Sequence, residues 1–179
     1  MTPSAGLRLI FGVRRRPGKP SQGVIALGGR TWPCALGGGG VRGHKREGDG
    51  ATPAGDLVVL YGWFRRDGVV PRRSPLPLHA VKADLGWCDA PADRNYNRPV
   101  RLPYPVSHER MCRPDRLYDI CIVLDWNVRQ RRRNLGSAIF LHIARPGYRP
   151  TEGCIAVSPA TMRELLPLIR RGTVFRVYG

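Results

Sequence analysis

Two residues of this sequence could together break and remake an amide bond. Cys154 follows Gly153 and precedes the apolar run Ile155–Val157, and His142 stands near the end of the run Ser137–Ile143, SAIFLHI. A thiol paired with an imidazole yields thiolate at neutral pH and divides acyl transfer into two easier steps. A glycine beside the thiol lets a substrate carbonyl approach the backbone closely. The N–H groups of Gly153 and Cys154 could then hydrogen-bond the developing oxyanion. The turn Arg145–Pro150 could fold the chain back and bring the ring to the sulfur. Spacing alone favours a plainer alternative, a buried structural cysteine and an unrelated histidine, because catalytic cysteine signatures do not transfer between families.

The elements that must hold these residues read mostly as strands. Leu7, Leu9, Phe11 and Val13 alternate with other residues at the period of a half-buried strand. Gly23–Leu27 and Thr31–Leu36 form a hairpin pattern around Gly28-Gly29. Gly37–Gly40 lacks the Lys-Ser/Thr of a phosphate loop and is expected as a flexible turn. Thr52-Pro53 and Gly55 are turn chemistry, and Asp56–Tyr61 follows as a strand. Arg65–Arg73 is a basic turn leading into the proline-punctuated stretch Pro71–Pro77. Gly86–Pro105 is polar, aromatic and without clear periodicity, so it reads as a long functional loop. Leu117–Leu124 and Ser137–Ile143 are strong strand candidates, with the charged loop Arg129–Arg133 between them. Ser158–Arg171 is the convincing helix: Ser158 as N-cap, Pro159 at the first position, a stripe of Met162, Leu165, Leu166 and Ile169, and Gly172 beyond its end. Thr173–Tyr178 closes the chain as a strand. The expected organisation is one domain over 1–179, with strands in 1–36 and the chemistry in 137–158.

Composition bounds the rest. With 179 residues, 42% hydrophobic and 24% charged, the chain is large enough to bury a core without disulfides or metal. Its 22 Gly and 17 Pro favour short strands and turns over long helices. No apolar run is long enough to read as a membrane span. Thirty Lys and Arg against thirteen Asp and Glu give +17, a surface that attracts polyanions. Arginine dominates, with only Lys19, Lys45 and Lys82 as lysines, and coding bias can account for part of that. The five cysteines, Cys34, Cys88, Cys112, Cys121 and Cys154, show no CxxC pair, which excludes zinc-ribbon and thioredoxin readings. Cys34, Cys88, Cys112 and Cys121 read as small core fillers. No secretory leader is recognisable before Arg14–Arg16. That leaves a cytoplasmic chain, unconventional export or a trimmed start open.

The stretch SAIFLHIARPGYRPTEGCIAVS, Ser137 to Ser158, resembles the active-site segment of the L,D-transpeptidase (YkuD) family. There a strand ends in His, a loop follows, and then comes Ser/Thr-x-Gly-Cys with an apolar residue after the Cys. Thr151, Glu152, Gly153, Cys154 and Ile155 fill that pattern, and TPAG at Thr52–Gly55 resembles the family's earlier Thr-Pro-x-Gly turn. The resemblance spans about Lys45 to Val177. It implies a mainly β domain, a curved sheet or sandwich with one or two helices. It also implies a Cys154 acyl-enzyme, with His142 as base, the Ile143 carbonyl orienting the ring, and an oxyanion hole of Gly153 and Cys154 N–H groups.

The substrate implied is the stem peptide of peptidoglycan, as donor and as acceptor, in the periplasm or cell wall. No cofactor or metal is implied, and carbapenems would inhibit. Within the long loop, Tyr96, Asn97, Arg98 and Arg101 offer an aromatic platform, amide hydrogen bonds and guanidinium clamps for carboxylates. Arg149, Thr151 and Glu152 beside the thiol complete the expected substrate-binding set. His108 and Glu109 form a further polar pair without an assigned role. Three departures mark a divergent branch: Glu152 where most members have His, Ala156 where many have Arg or Asn, and a shorter loop between His142 and Thr151. They tilt the expected product from a 3→3 toward a 1→3 cross-link. Two alternatives remain at this level. One is an L,D-endopeptidase or carboxypeptidase using the same pair. The other is a basic polyanion-binding module without catalysis, although no nucleic-acid-binding signature supports it.

Overall fold

Alternation of apolar and polar residues, interrupted by glycine and proline turns, produces a chain whose regular structure is mainly strand. The structure, a computed structural model, describes residues 8–68 and 74–179. In chain order the strands are β1 (Ile10–Arg16), β2 (Lys19–Leu27), β3 (Arg30–Ala35), β4 (Val41–Arg42), β5 (Thr52–Pro53), β6 (Gly55–Phe64), β7 (Leu78–Ala80), β8 (Leu85–Cys88), β9 (Arg98–Arg101), β10 (His108–Arg110), β11 (Ile120–Leu124), β12 (Phe140–Ile143), β13 (Ile155–Val157) and β14 (Val174–Val177), with the helix α1 (Pro159–Leu165) between the last two.

Nine strands form one sheet in the order β11-β12-β13-β3-β2-β1-β14-β6-β7. An additional pairing of β11 with β6 closes the sheet on itself, with β7 appended. The fold is therefore mainly β, a curved and closing sheet with one α-helix among the described residues. A second, three-stranded sheet, β10-β8-β9, lies beside it.

Two cores result. Inside the closed sheet, Phe11, Ile25, Leu57, Ile122, Leu141, Ile155 and Phe175 pack with Met162, Leu165, Leu166 and Ile169 from the helix segment. Between the large sheet and the small one, Trp63, Trp87, Met111, Tyr118, Cys121, Val123, Phe140 and Cys154 pack together. Strand β11 is buried on both faces, which is why its sequence, ICIVL, is apolar throughout rather than alternating.

Four expectations are corrected. The helix ends at Leu165 rather than Arg171. Pro167 has no N–H to donate, so the next residues continue as turns, with the Leu168 N–H donating to Leu165 O at 2.9 Å. Ser158 caps it as expected, accepting from the Thr161 N–H at 3.0 Å. Gly37–Gly40 is the expected turn, closed by the Gly40 N–H donating to the Gly37 carbonyl at 2.9 Å, but its surroundings hold it fixed. A Cβ at Gly37 would lie 2.2 Å from the Gly50 carbonyl oxygen, and one at Gly39 would lie 2.4 Å from that of Asp49. The turn is packed as bare backbone, with Gly37 N–H donating to Thr52 Oγ1, Gly38 N–H to the Thr151 carbonyl and Gly39 N–H to the Gly50 carbonyl. Gly86–Pro105 is not a long loop. It contains most of β8, a turn and β9, paired Gly86↔Val100 through Cys88↔Arg98. Finally, Ser137–Ile143 becomes a strand only at Phe140, because Ala138 has a φ of +54°.

The alternating run at the start holds Phe11 and Val13 inward on β1, while its Leu7 lies outside the described residues, as does Val69–Arg73 of the basic turn.

Candidate active site

The register of two strands puts the thiol and the imidazole on one face. Strands β12 and β13 are parallel, with Leu141 beside Ile155 and His142 beside Ala156. Side chains alternate along a strand. Leu141, Ile155 and Val157 therefore enter the inner core, while Phe140, His142 and Cys154 face the small sheet. The connection between the strands turns at Gly147 (φ +72°) and Tyr148 (φ +52°) and returns through Thr151. There the Thr151 hydroxyl donates to the Cys154 carbonyl at 2.7 Å and accepts from the Gly153 N–H at 3.2 Å. Gly153 has φ +126°, and a Cβ on it would lie 2.7 Å from the Ala51 carbonyl oxygen. The glycine before the thiol is thus required by the close passage of residue 51.

Cys154 is 6% exposed and all its recorded partners are backbone. Its thiol donates to the Ala138 carbonyl at 3.1 Å, and its sulfur accepts from the Phe140 N–H at 3.3 Å. Burial pushes this thiol well above its ordinary range, and Glu109 adds to the shift. The Phe140 N–H and the charges of Lys45 and Arg113 oppose it. His142 is 5% exposed. Its Nδ1 lies 2.8 Å from the Ile143 carbonyl oxygen, an acceptor only, so Nδ1 carries the proton and Nε2 holds a lone pair. Burial lowers its pKa to about 4, partly offset by that hydrogen bond. Burial therefore favours a neutral thiol and a neutral imidazole.

Both groups open on one cavity of about 280 Å³. Tyr118 packs edge-on to the His142 ring at 5.1 Å, and its hydroxyl donates to Glu109 at 2.5 Å. The Arg113 guanidinium sits 5.1 Å from the Tyr118 ring centre and is held by Asp115. The rest of the wall mixes carboxylates, Glu47, Asp89 and Glu152, with the cations Arg145 and Arg149. Lys45 is buried and paired to Asp49 at 2.5 Å, which pins the 45–50 loop that forms the rim. Glu47 in that loop accepts from both the Tyr96 hydroxyl and the Ser137 hydroxyl.

The family model of the L,D-transpeptidase catalytic domain, YkuD, matches residues 22–178, from within β2 to the end of the sheet. The chain belongs to the YkuD family. No curated protein matches it. Among solved structures, that of the Ldtfm–avibactam carbamoyl enzyme aligns at 15% identity and a TM-score of 0.43, over 97% of this chain. The chain spans about half the length of that structure, 49%.

Within this YkuD domain the expected site residues separate into two groups. Cys154, His142, Arg149, Thr151 and Glu152 all line the cavity. Four residues of the 86–105 segment do not. Tyr96 is 2% exposed and Asn97 has no exposure, so neither offers a surface to substrate; both are consumed by internal hydrogen bonds. Arg98 and Arg101 project from β9, and Arg101 pairs with Asp84 at 2.8 Å beside a different cleft. The cause is the fold of the segment: it forms the β8–β9 hairpin, and none of the four lines the cavity. Of the expected oxyanion pair, the Gly153 N–H donates to Thr151 Oγ1 at 3.2 Å in this structure.

Tyr118, Arg113, Asp89, Glu47, Ser137 and Ala138 also line the cavity, and none of them was expected there from the sequence. Glu109 was noted only as half of a polar pair. Its partner His108 turns away, with Nδ1 2.7 Å from the Val106 carbonyl oxygen. Tyr118 carried a usable signal, as the aromatic residue at the head of an otherwise aliphatic strand pattern. The others come from separate loops, and no local pattern joins them.

Proposed function

We propose that this chain is a peptidoglycan L,D-transpeptidase that works through a Cys154 acyl-enzyme with His142 as base. The observation that carries the reading is the placement of thiol and imidazole on one sheet face, opening on one cavity, in a chain of the YkuD family. In the first step the Cys154 sulfur attacks the donor carbonyl carbon and His142 Nε2 takes the thiol proton. The peptide C–N bond breaks, the proton passes to the leaving amine, and a thioester remains. In the second step the acceptor amine attacks the thioester, its proton goes to His142, the C–S bond breaks, and His142 passes that proton to the leaving sulfur to restore the thiol. The bond energy is kept in the thioester, so no cofactor is needed.

The mixed wall suits stem peptides, which carry carboxylates for Arg145 and Arg149 and an amine for Glu152 or Asp89. Glu152 in place of the common His, Ala156 in place of Arg or Asn, and the short loop favour the 1→3 product over the 3→3 product. This reading puts the site of action in the periplasm or cell wall and makes carbapenems acylating inhibitors of Cys154.

The test is mass spectrometry of disaccharide-peptides incubated with the parent chain and with Cys154→Ala. A dimer made only by the parent supports transpeptidation, and its fragmentation distinguishes 1→3 from 3→3. Shortened monomers alone would mean that water replaces the acceptor amine, the endopeptidase or carboxypeptidase reading. Untouched substrate with folded protein and varied acceptors would overturn the enzymatic reading. A polyanion-binding module would then stand in its place, recognisable by binding that falls steeply with salt.

A further inference from the structure

Asn97 is fully buried, yet its backbone is left-handed, at φ +57°, and its side chain makes three hydrogen bonds. Its Oδ1 accepts from the Trp87 indole N–H and from the Ala138 N–H, both at 3.0 Å, and its Nδ2 donates to the Trp126 carbonyl at 3.0 Å. Asparagine suits this position on both counts. It tolerates a left-handed backbone better than other side chains, and it both accepts and donates.

Ala138 is left-handed as well, at φ +54°. A residue with a Cβ keeps that conformation only where its surroundings hold it, and such residues gather at functional sites. What holds Ala138 at its N–H is Asn97, and what its carbonyl receives is the Cys154 thiol, at 3.1 Å. A continuous chain of contacts therefore runs from the core amide through one strained peptide to the sulfur. The Phe140 N–H, at 3.3 Å, is the second contact on the sulfur, so the Ala138 carbonyl is half of its recorded cradle.

We propose that Asn97 is a positioning residue for Cys154: it fixes the left-handed Ala138, whose carbonyl parks the thiol in one place before attack. The proposal rests on Cys154 being the nucleophile. It replaces the substrate contact expected of Asn97 with a role exerted wholly from within the core. The thiol would leave the Ala138 carbonyl only as His142 takes its proton, so each cycle would begin and end with the sulfur at the same site.

The S–H stretching band reads this contact directly. The infrared difference between the parent and Cys154→Ala isolates the band of Cys154 from those of the other four of the chain's five thiols. In the parent it lies at the low frequency of a thiol bonded to a carbonyl. Asn97→Ala is expected to move it toward the frequency of a free thiol. Cross-linking kcat should fall roughly tenfold, with KM held within about twofold, as misplacement of a reacting atom predicts. Trp87→Phe removes another bond to the same amide and should lower Tm while leaving the band in place. A folded Asn97→Ala protein with the band at the parent's position overturns the proposal.

If Asn97→Ala does not fold, Ala138 decides. Ala138→Gly can stay left-handed without steric cost and should keep the band, whereas β-branched Ala138→Val should move it. Two unmoved bands overturn the proposal. If Asn97→Ala moves the band while even the parent makes no cross-link, the contact of Asn97 with the thiol through Ala138 stands, but the positioning role for attack falls together with the enzymatic reading.

Discussion

The backbone of β12 and β13 builds two faces from alternate residues, and the two are furnished differently. Toward the inner core stand Leu141, Ile155 and Val157, without exposure and surrounded by aliphatic and aromatic side chains. Toward the small sheet stand Phe140, His142 and Cys154, and there the packing is interrupted by a charged cavity. On the first face the side chains need nothing but volume. On the second each polar group is tied to main chain: His142 to the Ile143 carbonyl, Cys154 to the Ala138 carbonyl and the Phe140 N–H. A buried polar group without a partner would cost about 1–3 kcal/mol, so the reactive face can exist only where the backbone supplies those partners. The lesson is that one face stabilises the site and the other exposes it to chemistry, and substitutions should separate the two.

The largest separation is expected at Cys154. Cys154→Ala should lower the cross-linking rate by ~10³-fold or more, as loss of a nucleophile does. Its stability in urea should fall only modestly, by about 1–3 kcal/mol, because the Ala138 carbonyl and the Phe140 N–H lose their bonds to sulfur. Unchanged turnover in the Ala variant would break the comparison outright.

On the opposite face Leu141→Ala should do the reverse. Truncating a fully buried leucine costs about 2–5 kcal/mol, read as a lower urea midpoint at unchanged m-value. The fraction still folded should retain near-parental turnover per molecule.

His142 sharpens the comparison through pH. The imidazole titrates at about 4 in the folded chain against 6.5 when unfolded. Between those values the unfolded chain binds a proton that the folded chain refuses. Stability is therefore full above pH 6.5 and declines as pH falls toward 4, by about 3 kcal/mol from this group. Urea titrations at both pH values should show that loss in the parent, and His142→Gln should reduce it by about that amount.

The smallest effect is expected on β9. Arg98→Ala and Arg101→Ala lie away from the cavity, so each should change kcat/KM by less than about twofold, in keeping with exposed substitutions. A tenfold rise in KM from Arg101→Ala would mean that substrate extends over the second cleft, which Arg101 lines.

Much of the fold was legible in the chain. The hairpin at Gly28-Gly29, the strand around Ile120–Leu124, the cap at Ser158 and the closing strand Val174–Val177 each depend on a few adjacent residues with strong local preferences. Mistakes arose where a distant segment overruled the local pattern. Gly37–Gly40 looks mobile until residues 49–52 are laid against it, and the 86–105 segment looks like a loop until β10 pairs with β8.

The sequence by itself singled out Cys154 and His142 as the candidate pair, because a thiol after glycine and a histidine at a strand end are properties of short segments. It also determined that the chain would be a strand-rich structure without long helices, since glycine, proline and alternation act locally. Only the tertiary structure decided which polar residues share the thiol's cavity. Glu47, Asp89, Glu109 and Tyr118 come from four separate stretches, and their meeting depends on the docking of the small sheet against the large one. It likewise decided that Asn97 belongs to the core. Burial is a property of what packs over a residue, and no spacing along the chain records it.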